Sequence, residues 1–243
     1  MTKNTVMVTG AASGIGYSCA RDLLRDGLSV VAADIGDIPI ALMEAGDCLA
    51  QTFDISSPNA CKFAVSDACD KFGGLSALIH FAGIHHTKTW EEVDADDFAR
   101  VMAVNVTGSF LIAQAAAETM RETGGTIVLT ASGGVELSGV GGDGRGGPAD
   151  TSSKAAIRGL TRSLARSLGK FNIRVNAVSP GATDTPMIGT YDNAARGDAV
   201  NRTPLGRIAL AEDISDVARF LISDASRFIT GQIILVNGGS AFG

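Results

Sequence analysis

Val6-Met7-Val8-Thr9-Gly10-Ala11-Ala12-Ser13-Gly14-Ile15-Gly16 reads as a buried strand, a glycine turn and the opening of a helix that runs to about Arg25. The glycine spacing has a geometric reason. Gly10 permits the tight turn off the strand, Gly14 lets backbone N–H groups approach a pyrophosphate, and Gly16 lets the helix pack closely on the sheet. The helix N-terminus, with Ser13 and Ile15 between the glycines, then presents free N–H groups to an anion. A second apolar run, Leu28 to Ala33, ends in Asp34. There a βαβ unit sets a carboxylate against the ribose hydroxyls of an adenosine.

Working outward, Cys48 to Phe53 is a third strand, with Asp54 and Ile55 at the carboxyl end where open α/β sheets bind ligands. Asp54 stands either to meet an adenine ring or, with Ser56 and Ser57, to lead into the helix that Pro58 starts and that runs to about Phe72. Ala77 to Phe81 is a fourth strand, followed by Ala82-Gly83-Ile84, whose small residues let the backbone lie beside a ribose. From Asp94 to about Met120, Phe98, Val101, Met102, Asn105, Phe110, Leu111 and Ala115 recur near helical spacing. Asn105 is the polar member of that stripe, either a satisfied core amide or the holder of an ordered water through its carbonyl.

Thr126 to Thr130 is a fifth strand, leading to Ala131-Ser132 and a hydroxyl directed at the cleft. Asp150 to Gly169 reads as a helix on which Asp150 and Lys154 share a face at i,i+4. Arg174 to Val178 is a sixth strand, Pro180-Gly181 a turn, and Thr183 to about Pro204 an irregular polar stretch suited to a substrate lid. A helix at Glu212 to Ser223 and a strand at Ile233 to Val236 complete the alternation. The fold class expected is α/β: a doubly wound, mostly parallel sheet with helices on both faces, in one domain over 1–243.

Composition bounds the function. The 243 residues are 45% hydrophobic and 19% charged, and no apolar run approaches the roughly 18 residues of a membrane span. A net charge of −6 without a Lys/Arg cluster leaves no electrostatic footprint for nucleic acid or anionic membrane. Cys19, Cys48, Cys61 and Cys69 show no close pairing and no signal peptide precedes Thr5, so reduced thiols in the cytoplasm are expected. His80, His85 and His86 cluster, but no cysteine or carboxylate sits at ligand spacing beside them, and no metal is expected. His85 and His86, just past a strand end, are candidate cleft residues with Trp90, Val135, Leu137, Met187, Ile188 and Tyr191.

Taken together, Thr9 to Gly16, Ala82-Gly83, Asn105-Val106-Thr107-Gly108, Ser132, Ser153-Lys154-Ala155 and Pro180-Gly181 with Thr185 resemble the short-chain dehydrogenase/reductase family over essentially the whole chain. The resemblance implies a seven-stranded Rossmann-type sheet, a nicotinamide cofactor and a homotetramer or homodimer. It implies that Ser132 hydrogen-bonds the substrate oxygen, Lys154 binds the nicotinamide ribose and lowers a neighbouring pKa, and Asn105 holds a relay water. Pro180, Gly181, Thr183 and Thr185 border the nicotinamide. Asp34, with no Arg or Lys at 35 or 36, favours NAD over NADP, because a 2′-phosphate would meet an unpaired carboxylate.

Three departures from the family bear on the chemistry. The family's proton donor is a tyrosine four residues before the lysine, and that position is Asp150; the chain's two tyrosines, Tyr17 and Tyr191, lie elsewhere. The interval from Ser132 to Asp150 is also longer than the family's, the excess falling in the glycine-rich run 139–147, and His80 stands where the family has an asparagine. A phenol near pKa 10 lowered by an adjacent ammonium carries an exchangeable proton near neutrality, whereas a carboxyl near 3.9 is ionised. An anionic Asp150 suits a base, a water-bridged relay or the stabilisation of a cation, which makes imine reduction attractive. The expectation is an NAD(P)-dependent oxidoreductase of a small alcohol/carbonyl or amine/imine pair. The alternatives are a non-redox lyase or isomerase on the same fold, or a catalytically weak cofactor-binding protein.

Overall fold

In a computed structural model that describes residues 5–85, 88–136, 147–189 and 193–242, seven parallel strands form one sheet in the order β3-β2-β1-β4-β5-β6-β7. They are β1 (Thr5–Thr9), β2 (Ser29–Asp34), β3 (Cys48–Thr52), β4 (Ala77–His80), β5 (Gly125–Thr130), β6 (Ile173–Pro180) and β7 (Ile233–Val236). The registers Met7↔Val31 and Met7↔Leu78 centre β1 between β2 and β4, so the chain reverses its direction of travel across the sheet at the β1/β4 boundary. Such a switch point opens a crevice at the strands' carboxyl ends.

Alternation along each strand builds two cores. Met7, Val31, Leu78, Ile127, Leu129 and Val175 point to one face, where α3 (Pro58–Phe72), α5 (Ser109–Thr119) and α6 (Pro148–Leu168) cover them. Val6, Val8, Val30, Ala32, Ile79 and Val128 point to the other, against α1 (Gly14–Arg25), α2 (Ile40–Glu44) and α8 (Ala211–Ile222). Strands buried on both faces read as continuous apolar runs, which is why these were visible in the sequence. Ser57 caps α3 through Ala60 N, and Gly73 closes it in the left-handed region at φ 78°.

Four local expectations change. The stretch from Asp94 to Met120 is two α-helices, α4 (Ala95–Met102) and α5, joined without a break by a π-helical turn at Ala103–Gly108. As a unit, Ala95–Thr119 has the length and mean hydropathy, 1.2, of a membrane span, contrary to the reading that no stretch approaches one. It packs against the sheet and against α3 and α6, so its apolar character is that of a core helix. Ile40–Glu44 forms a short helix that the sequence pattern did not mark, and Asn193–Asn201 is a helix (α7) inside the stretch read as irregular.

The four cysteines are free, and Cys19 and Cys61 are buried. The glycine-rich run lies almost wholly outside the described residues, as do His86, Leu137 and Tyr191.

Candidate active site

The carboxyl ends of the strands open on a cleft of about 410 Å³. Its floor is the β1–α1 turn. Gly10 sits at φ 75°, and a Cβ there would lie 2.8 Å from Ala82 N; a Cβ on Gly16 would lie 2.1 Å from Gly10 O. Both positions therefore admit only glycine without moving backbone.

The first hydrogen bond of α1 runs from Tyr17 N to Ser13 O, and Ser13 supplies no side-chain cap. The N–H groups of Gly14, Ile15 and Gly16 thus precede the helix's own ladder at its positive end, where a pyrophosphate is stabilised. The structure holds Asp34 for a partner. Its Oδ2 accepts from Ala12 N at 3.0 Å and its Oδ1 from Gly36 N at 3.0 Å, which fixes the carboxylate and leaves a lone pair on each oxygen for a diol. These features fit a dinucleotide.

Asp54 performs the local task weighed for it. Its Oδ1 accepts from Ser56 N at 2.9 Å and Ser56 Oγ at 2.7 Å, bonds that hold its carboxyl below the usual carboxylate range. It also lines the cleft, as do Ile55, Ala82, Gly83, Pro180, Gly181, Thr183 and Thr185. Thr183 Oγ1 donates to Gly181 O at 3.0 Å, and Gly181 N donates to Val236 O at 3.0 Å, tying this wall to β7.

At the opposite end stand Ser132, Asp150 and Lys154, all lining the cleft. Ser132 Oγ accepts from Gly134 N at 3.2 Å. Lys154 Nζ donates to Thr130 O at 3.2 Å; burial lowers the ammonium's pKa, partly offset by the negative charge of Asp150. The expected Asp150–Lys154 partnership is thus one of field. The side chain that faces the Asp150 carboxylate is instead His85, with Nδ1 at 3.6 Å from Oδ2.

Asn105 lies behind the cleft wall, 2% exposed. Its Oδ1 accepts from Ile84 N at 2.8 Å, while Nδ2 donates to Ile84 O at 3.0 Å and to Ser153 Oγ at 3.0 Å. The side chain is therefore a satisfied core amide, and its carbonyl already accepts from Ser109 Oγ at 2.6 Å. The π turn is what brings this residue inward, a common association of π turns with functional sites. His80 is 1% exposed, its Nδ1 bonded to Thr9 Oγ1 at 2.6 Å. Burial, with the positive field of Lys154, pushes its pKa down to about 3.

Of the expected cleft-liners, His85 and Met187 do line it, whereas Trp90, 76% exposed, and Val135 do not. Arg100 and Arg202 border the cleft and were missed, because each is exposed like any surface arginine, the first on α4 and the second in the turn after α7. The cleft shape, the phosphate-ready helix and the buried lysine together define a dinucleotide-dependent oxidoreductase.

A family model described as enoyl-(acyl carrier protein) reductase matches residues 10–241. A 3α-hydroxysteroid dehydrogenase of Mediterraneibacter gnavus is 34% identical, covering 99% of this chain and 98% of that protein. The FabG 3-oxoacyl-(acyl-carrier-protein) reductase of Thermotoga maritima is 33% identical, covering 96% of each. Among solved structures, a 3-ketoacyl-(acyl-carrier-protein) reductase of Brucella melitensis complexed with NADH superposes with a TM-score of 0.88 at 30% identity, covering 98% of both chains. The chain belongs to the short-chain dehydrogenase/reductase family, and it is an NAD(P)-dependent oxidoreductase.

Proposed function

We propose that this enzyme interconverts a small alcohol and carbonyl, or an amine and imine, with NAD as its dinucleotide and Asp150 in the position of the family's tyrosine. The observation that carries this reading is the placement of Asp150 in the cleft wall one helical turn before the buried Lys154. The bound nicotinamide supplies or accepts the hydride. Gly10, Ser13, Gly14, Ile15 and Gly16 hold the pyrophosphate, while Asp34 takes the ribose diol. Asp54, Ile55, Ala82 and Gly83 flank the adenosine and the nearer ribose. Pro180, Gly181, Thr183 and Thr185 border the nicotinamide.

Ser132 orients the substrate oxygen, Lys154 holds the second ribose, and Asn105, whose side-chain amide is already satisfied, offers the second lone pair of its backbone carbonyl to a relay water. An anionic group at 150 stabilises a cation, which supports the imine variant. Preference for NAD rests on Asp34 and on the absence of a cationic side chain at Ile35 and Gly36.

The chain acts as one domain, with 183–204 closing over the substrate. Phe98 and Phe110, 37% and 39% exposed on the α4–α5 unit, support assembly into a homodimer or homotetramer through that unit and α6. A light-scattering mass of a single chain at micromolar concentration would contradict the assembly.

The test of the function is Asp150→Asn. The amide keeps the shape and removes the charge, so NADH affinity should stay within about twofold while turnover falls by about 10² to 10⁴. Unchanged turnover would reduce Asp150 to a charge favouring the start of α6.

A further inference from the structure

A carboxylate at position 150 has two defects as a substitute for a phenol: it reaches less far, and when ionised it has no proton to give. The structure places a group that repairs both. His85, on the segment that leaves β4, lines the same cleft, and its Nδ1 faces Asp150 Oδ2 at 3.6 Å. The two side chains are 17% and 15% exposed, so neither is a freely solvated surface charge.

At 3.6 Å the contact is longer than a hydrogen bond, and catalytic contacts often tighten only when substrate closes the site. A buried chain of bonds fixes the two residues relative to each other. Asn105 grips Ile84, the residue before His85, through both its N–H and its C=O. The same Asn105 donates to Ser153 Oγ, and that hydroxyl donates to Asp150 O at 2.8 Å. Asn105 and Ser153, 2% and 0% exposed, therefore set the spacing between the backbone of Ile84-His85 and that of Asp150.

We propose that His85 is the residue that gives and takes the proton of the reaction, with Asp150 as its positioning partner, an inference that rests on the oxidoreductase reading above. A carboxylate at Nδ1 selects the tautomer with its proton on Nδ1 and stabilises the imidazolium when the ring is doubly protonated. Nε2, across the ring, is then the exchanging atom. In the reducing direction the carbonyl carbon gains the hydride that the reduced dinucleotide supplies. The C=O π pair forms the new O–H bond with the Nε2 proton, and the ring is left neutral, to be reprotonated from water. In the oxidising direction neutral Nε2 accepts the hydroxyl proton. The substrate class follows: with an imidazolium donor the enzyme handles ketones and secondary alcohols, and does not depend on a substrate that arrives already cationic. Among the described residues, the other basic groups near this pair are Lys154, whose charge is felt by Asp150, and buried His80, whose field comes from Lys154; Arg100 borders the cleft beside Asp54.

The test has two independent readouts on the full chain. Long-range ¹H–¹⁵N spectra of the three imidazoles, with His85 assigned by its loss in His85→Gln, should show neutral His85 protonated on Nδ1. That signature should weaken or switch to Nε2 in Asp150→Asn; a tautomer unmoved by Asp150→Asn overturns the pairing. In turnover of NADH with cyclohexanone, 4-oxocyclohexanecarboxylate and an acetoacetyl thioester, His85→Gln should lower kcat by about 10² to 10⁴. NADH affinity by calorimetry should stay within about twofold. His85→Gly should regain activity with added imidazole, and His85→Gln/Asp150→Asn should be little worse than either single variant, because the two act as a unit. Unchanged kcat in His85→Gln, or losses that multiply in the double variant, would overturn the proposal while leaving the oxidoreductase reading intact. Failure of the unsubstituted chain to bind NADH would overturn the reading beneath it.

Discussion

The glycine-turn end of the cleft and the Asp150 end are built from different materials. At the first, backbone forms the cleft: N–H groups at the head of α1, a Gly10 turn, and a Gly16 whose missing side chain lets α1 touch the turn. At the second, side chains from separate elements converge: Ser132 after β5, Asp150 and Lys154 on α6, and His85 after β4. A site made of backbone has little room for substitution, because any Cβ displaces main chain. A site made of side chains can exchange one acid–base group for another while the frame stays, and the proposed role of Asp150 beside Lys154 depends on that freedom.

The largest effect should come from Gly16→Val. The added side chain must displace Gly10 O, whose distance to the ideal Cβ is 2.1 Å, and overpacking against backbone costs about 3 kcal/mol or more. We expect NADH binding by calorimetry to weaken at least 10²-fold and the melting temperature to fall. Near-normal binding would show that the turn is not the phosphate cradle.

Asp150→Tyr comes next and probes the replaceable end. A phenol beside Lys154 is itself a proton donor, so ketone turnover should exceed that of Asp150→Asn by about 10²-fold. Equal rates in the two variants would mean that the chain between Ser132 and Asp150 has moved the serine or the lysine out of register.

The third prediction concerns His80, which lies between the two ends. The unfolded chain binds a proton at an ordinary histidine near pH 6.5, whereas the buried ring resists protonation down to about 3. Below pH 6.5 the unfolded state therefore holds the extra proton, and stability falls as pH drops toward 3. By pH 5 this amounts to about 2 kcal/mol. His80→Asn should flatten the loss of stability between pH 7 and pH 5 in urea titrations; an unchanged slope would contradict the burial argument.

Much of this was legible in the sequence for physical reasons. Strands buried on both faces announce themselves as apolar runs, and β7 and α3 fall at the residues expected, Ile233–Val236 and Pro58–Phe72. The glycines of the turn are legible because their constraint is local. The His85–Asp150 contact was not, because it depends on a spacing across 65 positions set by the buried Asn105–Ser153 bonds, and no local pattern encodes it. The π turn at Ala103–Gly108 was hidden because it is a short stretch inside a long run that reads as helical on either side. Arg100 and Arg202 were hidden because the cleft wall they join is formed by distant elements.

The smallest effect sharpens the comparison at the backbone-built end. If Asp34 meets the ribose diol as proposed, Asp34→Ser should narrow the preference for NADH over NADPH by about tenfold, or 1.4 kcal/mol. Tighter binding of NADPH by the unsubstituted chain would reverse the assignment of Asp34.

The most direct measurement is a crystal structure with NADH bound. The account predicts the pyrophosphate on the N–H groups of Gly14 to Gly16 and the adenosine ribose on Asp34. The nicotinamide should lie against Pro180 and Gly181, with Ser132, His85 and Asp150 facing the space beside its reactive carbon. A nicotinamide lying away from Ser132 and Lys154, or Asp150 and His85 turned from that space, would contradict it.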